Sequence, residues 1–165
     1  MEYQVDNEPA GAVFTDDRTH RLYLWRRWDK ARPWVMFIGL NPSTADERLD
    51  DPTVRRCVGF AARWNYGGIF MCNVFTLVST DPKKLNVEPP IARGASLAMK
   101  VIRDRCKIAV AGWGNLITQA RDGEDRVERI KRELSPLYCL GLTKLGHPKH
   151  PLYLPYSVKP VEFCV

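Results

Sequence analysis

Four apolar runs punctuate the chain: "VMFIGL" from residue 35, "GIFMCNVFTLV" from 68, "KIAVAGWG" from 107 and "LYCLGLT" from 137. Each is short, continuous and bounded by turn residues, the pattern of a strand buried on both faces. Between them the apolar period lengthens to that of a helix. Asp50 or Asp51 can cap a helix with Pro52 at its first position. Val54, Val58, Ala61 and Ala62 recur along one side, and Trp64 with the Gly67-Gly68 pair ends it. "STDPKKLNVEPP" reads as a loop. A second helix is expected over 91–105, with Leu97, Ala98, Val101 and Ile102 on one side. A third is expected over 115–134, carrying Val127, Ile130 and Leu134 and open to interruption at Gly123. Upstream, two β-type runs flank Asp16-Asp17-Arg18-Thr19 and predict a hairpin of 12–15 and 21–25. The end of the chain, "KLGHPKHPLYLPYSVKP", is proline-rich and carries two histidines.

The order is a hairpin followed by β-α-β-α-β-α-β. It predicts one α/β domain over residues 1–165, with a central, mainly parallel four-stranded sheet flanked by helices and an N-terminal β-hairpin. Ligands of such sheets bind beyond the carboxyl ends of the strands. That rule collects Asn41 after the first strand, Asn73 at the end of the second, Trp113 and Asn115 after the third, and Thr143, His147 and His150 after the fourth.

Composition narrows the classes. Hydrophobic content of 45% and charged content of 27% are ordinary for a water-soluble fold. No apolar run approaches the length of a membrane span, and "MEYQVDNEPAG" is too acidic for a targeting peptide, so a cytoplasmic protein without a membrane partner is expected. Cys57, Cys72, Cys106, Cys139 and Cys164 are scattered and odd in number, which predicts reduced core thiols and neither a disulfide framework nor a metal site; no cofactor is expected. The net charge is +6. Arg26, Arg27, Lys30 and Arg32 lie together, Arg55, Arg56 and Arg63 follow the first strand, and Lys144 and Lys149 lie near the end. Interleaved with five tryptophans, they point to a polyanionic partner, DNA or a nucleotide.

Taken singly, each candidate also has an ordinary explanation. Asn41-Pro42 is a turn starter. Asp46, Asp50 and Asp51 solvate a loop and cap a helix. Ser43 and Thr44 suit a turn as well as a phosphate, and the histidines suit a surface loop. Asn73 stands out, because asparagine is a poor strand residue whose amide must be satisfied when buried. No G-x-S-x-G elbow and no phosphate-binding G-x4-G-K-[ST] loop occurs.

Together the positions carry a resemblance. "FIGLNPS" resembles the first motif of the uracil-DNA glycosylase superfamily, where a strand ends in Gly-Ile-Asn-Pro-Gly or Gly-Met-Asn-Pro-Gly. "IFMCNVFTLV" resembles its second strand, "IAVAGWGN" its third, and "GHPKHPLY" its His-Pro-Ser-Pro motif. The order and spacing hold from Val35 to Tyr153. The sequence departs from the pattern in three places: Ser43 replaces the glycine after Asn-Pro, Pro52-Thr53-Val54 stand where a stacking aromatic is expected, and the last motif lacks its serine. The whole chain also resembles a family of bacterial and phage proteins sharing Ile-Gly-Leu-Asn-Pro-Ser-Thr-Ala-Asp, Asp-Asp-Pro-Thr and His-Pro-Leu-Tyr.

The superfamily resemblance implies a three-layer sandwich fold and hydrolysis of the N-glycosidic bond of a flipped or single-stranded pyrimidine. Asn41 would hold the attacking water and His150 would donate to the leaving base, with His147 as the alternative donor. Asn73 would read the base edge with one donor and one acceptor. Ser43, Thr44, Trp113 and Thr143 would line the substrate site, and Arg55, Arg56, Lys144 and Lys149 would grip the backbone phosphates. A nucleic-acid-binding module without cleavage, and an enzyme acting on a free nucleotide or modified nucleoside, are the alternative expectations.

Overall fold

The computed structural model describes residues 8–86 and 90–164. Seven strands form one mixed sheet: β1 (Ala10–Phe14), β2 (Arg21–Arg27), β3 (Trp34–Gly39), β4 (Gly68–Asn73), β5 (Cys106–Ala111), β6 (Leu137–Cys139) and β7 (Val161–Cys164), in the spatial order β1-β2-β4-β3-β5-β6-β7. The four apolar runs are β3 to β6, and they pair parallel with one another. The expected four-stranded sheet is therefore the middle of a larger one. The N-terminal hairpin is no separate appendage, since β2 pairs antiparallel with β4. The proline-rich end returns as β7 to cover the edge of β6, a strand that its few exposed residues do not announce.

Helix α1 (Pro52–Arg63) follows the plan read from the sequence. Asp51 Oδ1 accepts from Val54 N at 2.8 Å, Pro52 opens the first turn, and Val54, Cys57, Phe60 and Ala61 form the buried face. That face packs on Val35, Phe37, Ile69, Met71 and Val110. The alternate residues of the same strands, Met36, Ile38, Phe70, Cys72 and Ala109, pack on the other side with α2 (Ala95–Arg105) and α3 (Gly123–Leu134). Helix α2 starts later than 91, at Ala95 after a left-handed Gly94. The stretch 115–134 divides into a short 3-10 turn, Asn115–Gln119, and α3. Gly123 is the first residue of α3, and a side chain there would strike Ile117 O at 2.3 Å.

No helix among the described residues is long and apolar enough to cross a membrane. Cys57, Cys72, Cys106, Cys139 and Cys164 are free thiols. Burial holds Cys57, Cys72 and Cys106 well above the ordinary thiol range and raises Cys139 as well, so they are inert core residues.

Candidate functional site

The carboxyl edge of the parallel strands holds a cavity of about 200 Å³. Its walls include Gly39 at the end of β3, Asn41 and Ser43 after it, Asn73 at the end of β4, Trp113 after β5, and His150. Two further residues join them, Arg21 and Asp51.

Arg21 arrives because β2 runs antiparallel to β4. The register pairs Leu24 with Met71, which carries the start of β2 to the end of β4. Arg21 is 2% exposed. Its Nη1 donates to Ala45 O at 2.9 Å, its Nη2 donates to Asn73 Oδ1 at 3.2 Å, and its backbone N–H donates to Thr76 O. Burial pulls its pKa down to about 10, opposed by the Asp51 carboxylate, so it stays cationic at neutral pH. A charged residue opening an otherwise apolar run was the signal for it in the sequence.

Asn73 is buried, and its amide lies against Gly39. A Cβ on Gly39 would stand 2.8 Å from Asn73 Nδ2 and 3.0 Å from Met71 Cε. Arg21 engages one lone pair of the Asn73 oxygen, and Nδ2 is the end of the amide set against Gly39. Asn41 is anchored as a turn residue: Nδ2 donates to Ser79 O at 2.8 Å and Pro42 O at 3.0 Å, tying the loop after β3 to the loop after β4. With the nitrogen so held, Oδ1 is the end of this amide that accepts no hydrogen bond among the described residues.

Asp51 caps α1 with Oδ1, as the sequence predicted, and it also lines the cavity. Oδ2 accepts no hydrogen bond among the described residues. His150 Nδ1 accepts from Leu152 N at 3.2 Å, so its proton sits on Nε2. Burial lowers the pKa of His150 below the usual histidine value, with Asp51 opposing, and the ring is neutral at pH 7. The segment carrying His150 lies along the turn after β5. Gly114 N donates to Pro148 O, and a side chain at Gly112 would meet Pro151 Cδ at 3.1 Å, so this turn must be small. Trp113 is 1% exposed, edge-on to Phe163, and its buried Nε1–H has no acceptor among the described residues.

Other expected residues lie outside the cavity. Thr44 is exposed. Thr143 Oγ1 donates to Asn115 Oδ1 at 2.6 Å, and His147 Nε2 stands 3.5 Å from Glu124 of α3. Of the basic groups, Arg55, Lys144 and Lys149 are exposed. Arg56 is engaged internally, donating to Leu154 O and stacking on Tyr156 at 3.9 Å. The cluster near residue 30 divides, with Arg26 buried, Arg27 partly buried, and Lys30 and Arg32 exposed. Arg26 is buried against Asp50 and the carbonyls of Asp46 and Leu49, Arg27 lies over Trp34, and Arg32 pairs with Asp29. Among the described residues no three His, Cys, Asp or Glu side chains gather as metal ligands would.

A family profile described as "Protein of unknown function (DUF1643)" matches residues 21–152, and the chain belongs to that family. No curated protein and no solved structure matches it.

Proposed function

For this member of the family we propose hydrolysis of an N-glycosidic bond, with the cavity at the carboxyl edge holding the base. One observation carries the reading: an amide donor (Asn73), a neutral imidazole donor (His150), an amide oxygen (Asn41) and a carboxylate (Asp51) share a single cavity. Its volume of about 200 Å³ falls below the ~300–1,000 Å³ of sites for drug-sized ligands and suits a single ring. The motifs that resemble the uracil-DNA glycosylase superfamily supply these same strand ends.

The chemistry follows from charge. The bond between C1′ and the base nitrogen breaks with its electrons passing to the base, leaving a cationic sugar. Asn73 Nδ2–H and His150 Nε2–H donate to the base, where negative charge grows. Asn41 Oδ1 orients the water that adds to C1′. An amide cannot take that water's proton. The Asp51 carboxylate can, and its negative charge also steadies the cationic sugar. The protonated Asp51 then returns its proton to solvent, and the base anion is neutralised in turn.

The test is a panel of oligonucleotides carrying uracil, mismatched bases and modified pyrimidines, scored for abasic sites. Release of a base that stops in both Asp51→Asn and His150→Gln supports the reading. Full activity in both variants refutes it. Engagement of Arg26 and Arg56 within the fold leaves less free basic surface than the sequence promised, which favours a second reading, a free nucleoside or nucleotide as substrate. Charge reversal of Arg55, Lys144 and Lys149 separates the two. It weakens salt-dependent DNA binding if the substrate is a polymer and leaves mononucleoside turnover unchanged if it is not.

A further inference from the structure

We infer that Arg21 is a positioning residue that sets which bases the cavity accepts, by fixing the amide of Asn73. The inference rests on the reading of the cavity as a base site.

A carboxamide has two ends of nearly equal shape and opposite hydrogen-bonding character. Which end faces a ligand is decided by what holds the other. Asn73 Oδ1 accepts from Arg21 Nη2 at 3.2 Å, and a guanidinium has only donors. Flipping the amide would set NH₂ against the guanidinium, two donors face to face in a buried place. The guanidinium itself cannot turn away, since Nη1 is tied to Ala45 O. It already carries one buried N–H without an acceptor, on Nε, and a flip would add a second. Losing a hydrogen bond to a charged donor disfavours the flipped state by about 10- to 100-fold.

Nδ2 of Asn73 is therefore the end left for the ligand, seated over Gly39 where no side chain intrudes. His150, with its proton on Nε2, lines the same cavity. Against these donors stand the Asp51 carboxylate and the Asn41 oxygen, which the proposed mechanism engages with the sugar and the water rather than with the base. A ring that brings carbonyl oxygens satisfies such walls, whereas an exocyclic amino group meets donors. The class of base selected is a keto heterocycle, and Arg21 enforces the choice without itself reading the ring.

The test measures binding of uracil and cytosine to the intact protein by calorimetry. Wild type should prefer uracil by about 10- to 100-fold, the discrimination of one good paired contact. Arg21→Met frees the amide to turn either way, and the preference should fall below about threefold. Arg21→Lys, which keeps a cationic donor, should retain part of it. A second readout needs no ligand: the side-chain amide of Asn73 in the ¹⁵N spectrum should give one set of signals in wild type and shifted or doubled signals in Arg21→Met. Should Arg21→Met not fold, Arg21→Lys carries both comparisons. Full preference for uracil in a folded Arg21→Met protein, or unchanged Asn73 signals, overturns the positioning role. Wild type binding neither base overturns instead the base-site reading, and the specificity role falls with it.

Discussion

Gly39→Ala tests the packing on which the site depends. Gly39 is the last residue of β3, and the added methyl would stand 2.8 Å from Asn73 Nδ2 and 3.0 Å from Met71 Cε. The Met71 methyl is the end of a flexible chain and can yield. Asn73 cannot yield freely, because moving its amide away by roughly half an ångström strains the 3.2 Å bond from Arg21. Overpacking of this kind costs about 1–3 kcal/mol. Replacing glycine restricts the unfolded chain and returns about 0.4–1 kcal/mol. A net loss of about 1–2 kcal/mol is expected, read as a lower urea midpoint at unchanged m-value. A double-mutant cycle isolates the cause. In an Asn73→Ala background the nearest obstacle is gone, and Gly39→Ala should cost less by about 1 kcal/mol, a coupling within the range for residues in contact. Additive effects of the two substitutions, or a Gly39→Ala protein as stable as wild type that still binds base normally, would refute the placement of the amide over this glycine.

Two further substitutions bear on roles. Asn41→Ala should lower turnover by about 10-fold or more, since it removes the oxygen that orients water, and it should also loosen the tie to Ser79 O, costing about 1 kcal/mol of stability; single-turnover kinetics with a substrate from the panel checks the first and urea unfolding the second, and a change in affinity alone would return Asn41 to a purely structural turn. His150 and His20 both have pKa values held below 6.5 by burial, so the unfolded chain takes up protons first as pH falls. Stability should therefore decline from about pH 6.5 downward, toward the lowered folded-state values, and His150→Gln should flatten part of this slope in urea unfolding measured between about pH 7.5 and 5; an unchanged slope would place His150 in solvent.

The parts of the fold that were legible are those whose residues obey one local rule. The strands β3 to β5 announce themselves because both their faces are buried, and α1 because cap, proline and apolar period agree. Strand β7 was not legible, since Val161 and Glu162 are exposed, Phe163 and Cys164 are only partly buried, and the run is too short to show alternation. The union of β2 with β4 was not legible either. Pairing between strands 40 residues apart leaves no periodic trace, and the local signal, a hairpin, is satisfied whether or not it joins the sheet. For the site, Asn41, Asn73, Trp113 and His150 followed from a topological rule about strand ends. Thr143 and His147 obeyed the same rule but turn to Asn115 and Glu124, because their loop folds back on itself through a turn at Gly146. Charge was legible only in part. Arg26 and Arg56 are ties within the fold while Lys30, Arg32, Arg55 and Arg63 stay exposed, and only a count of the carbonyls left to satisfy would have distinguished the two uses.

That use of arginine explains the long polar stretch between Leu40 and Asp51. A loop of this length beside a cavity needs its buried backbone carbonyls satisfied, and it contributes no ladder of its own to do so. Arg21 and Arg26, from the two ends of β2, supply the donors: one holds Ala45 O, and the other holds Asp46 O, Leu49 O and the Asp50 carboxylate at 2.7 Å. Burying two guanidinium groups is costly unless their donors find acceptors, and the loop provides these. The last residue of the stretch is Asp51, whose position is thereby fixed from one side by Arg26 through Asp50 and from the other by the first turn of α1. The carboxylate, the Asn73 amide and the anchored loop all trace to one antiparallel strand outside the β-α-β repeat. The widening of the sheet from four strands to seven thus bears directly on the site, since without β2 beside β4 the Asn73 amide would lose the guanidinium that fixes it, and the loop before Asp51 would lose the donors that hold its carbonyls.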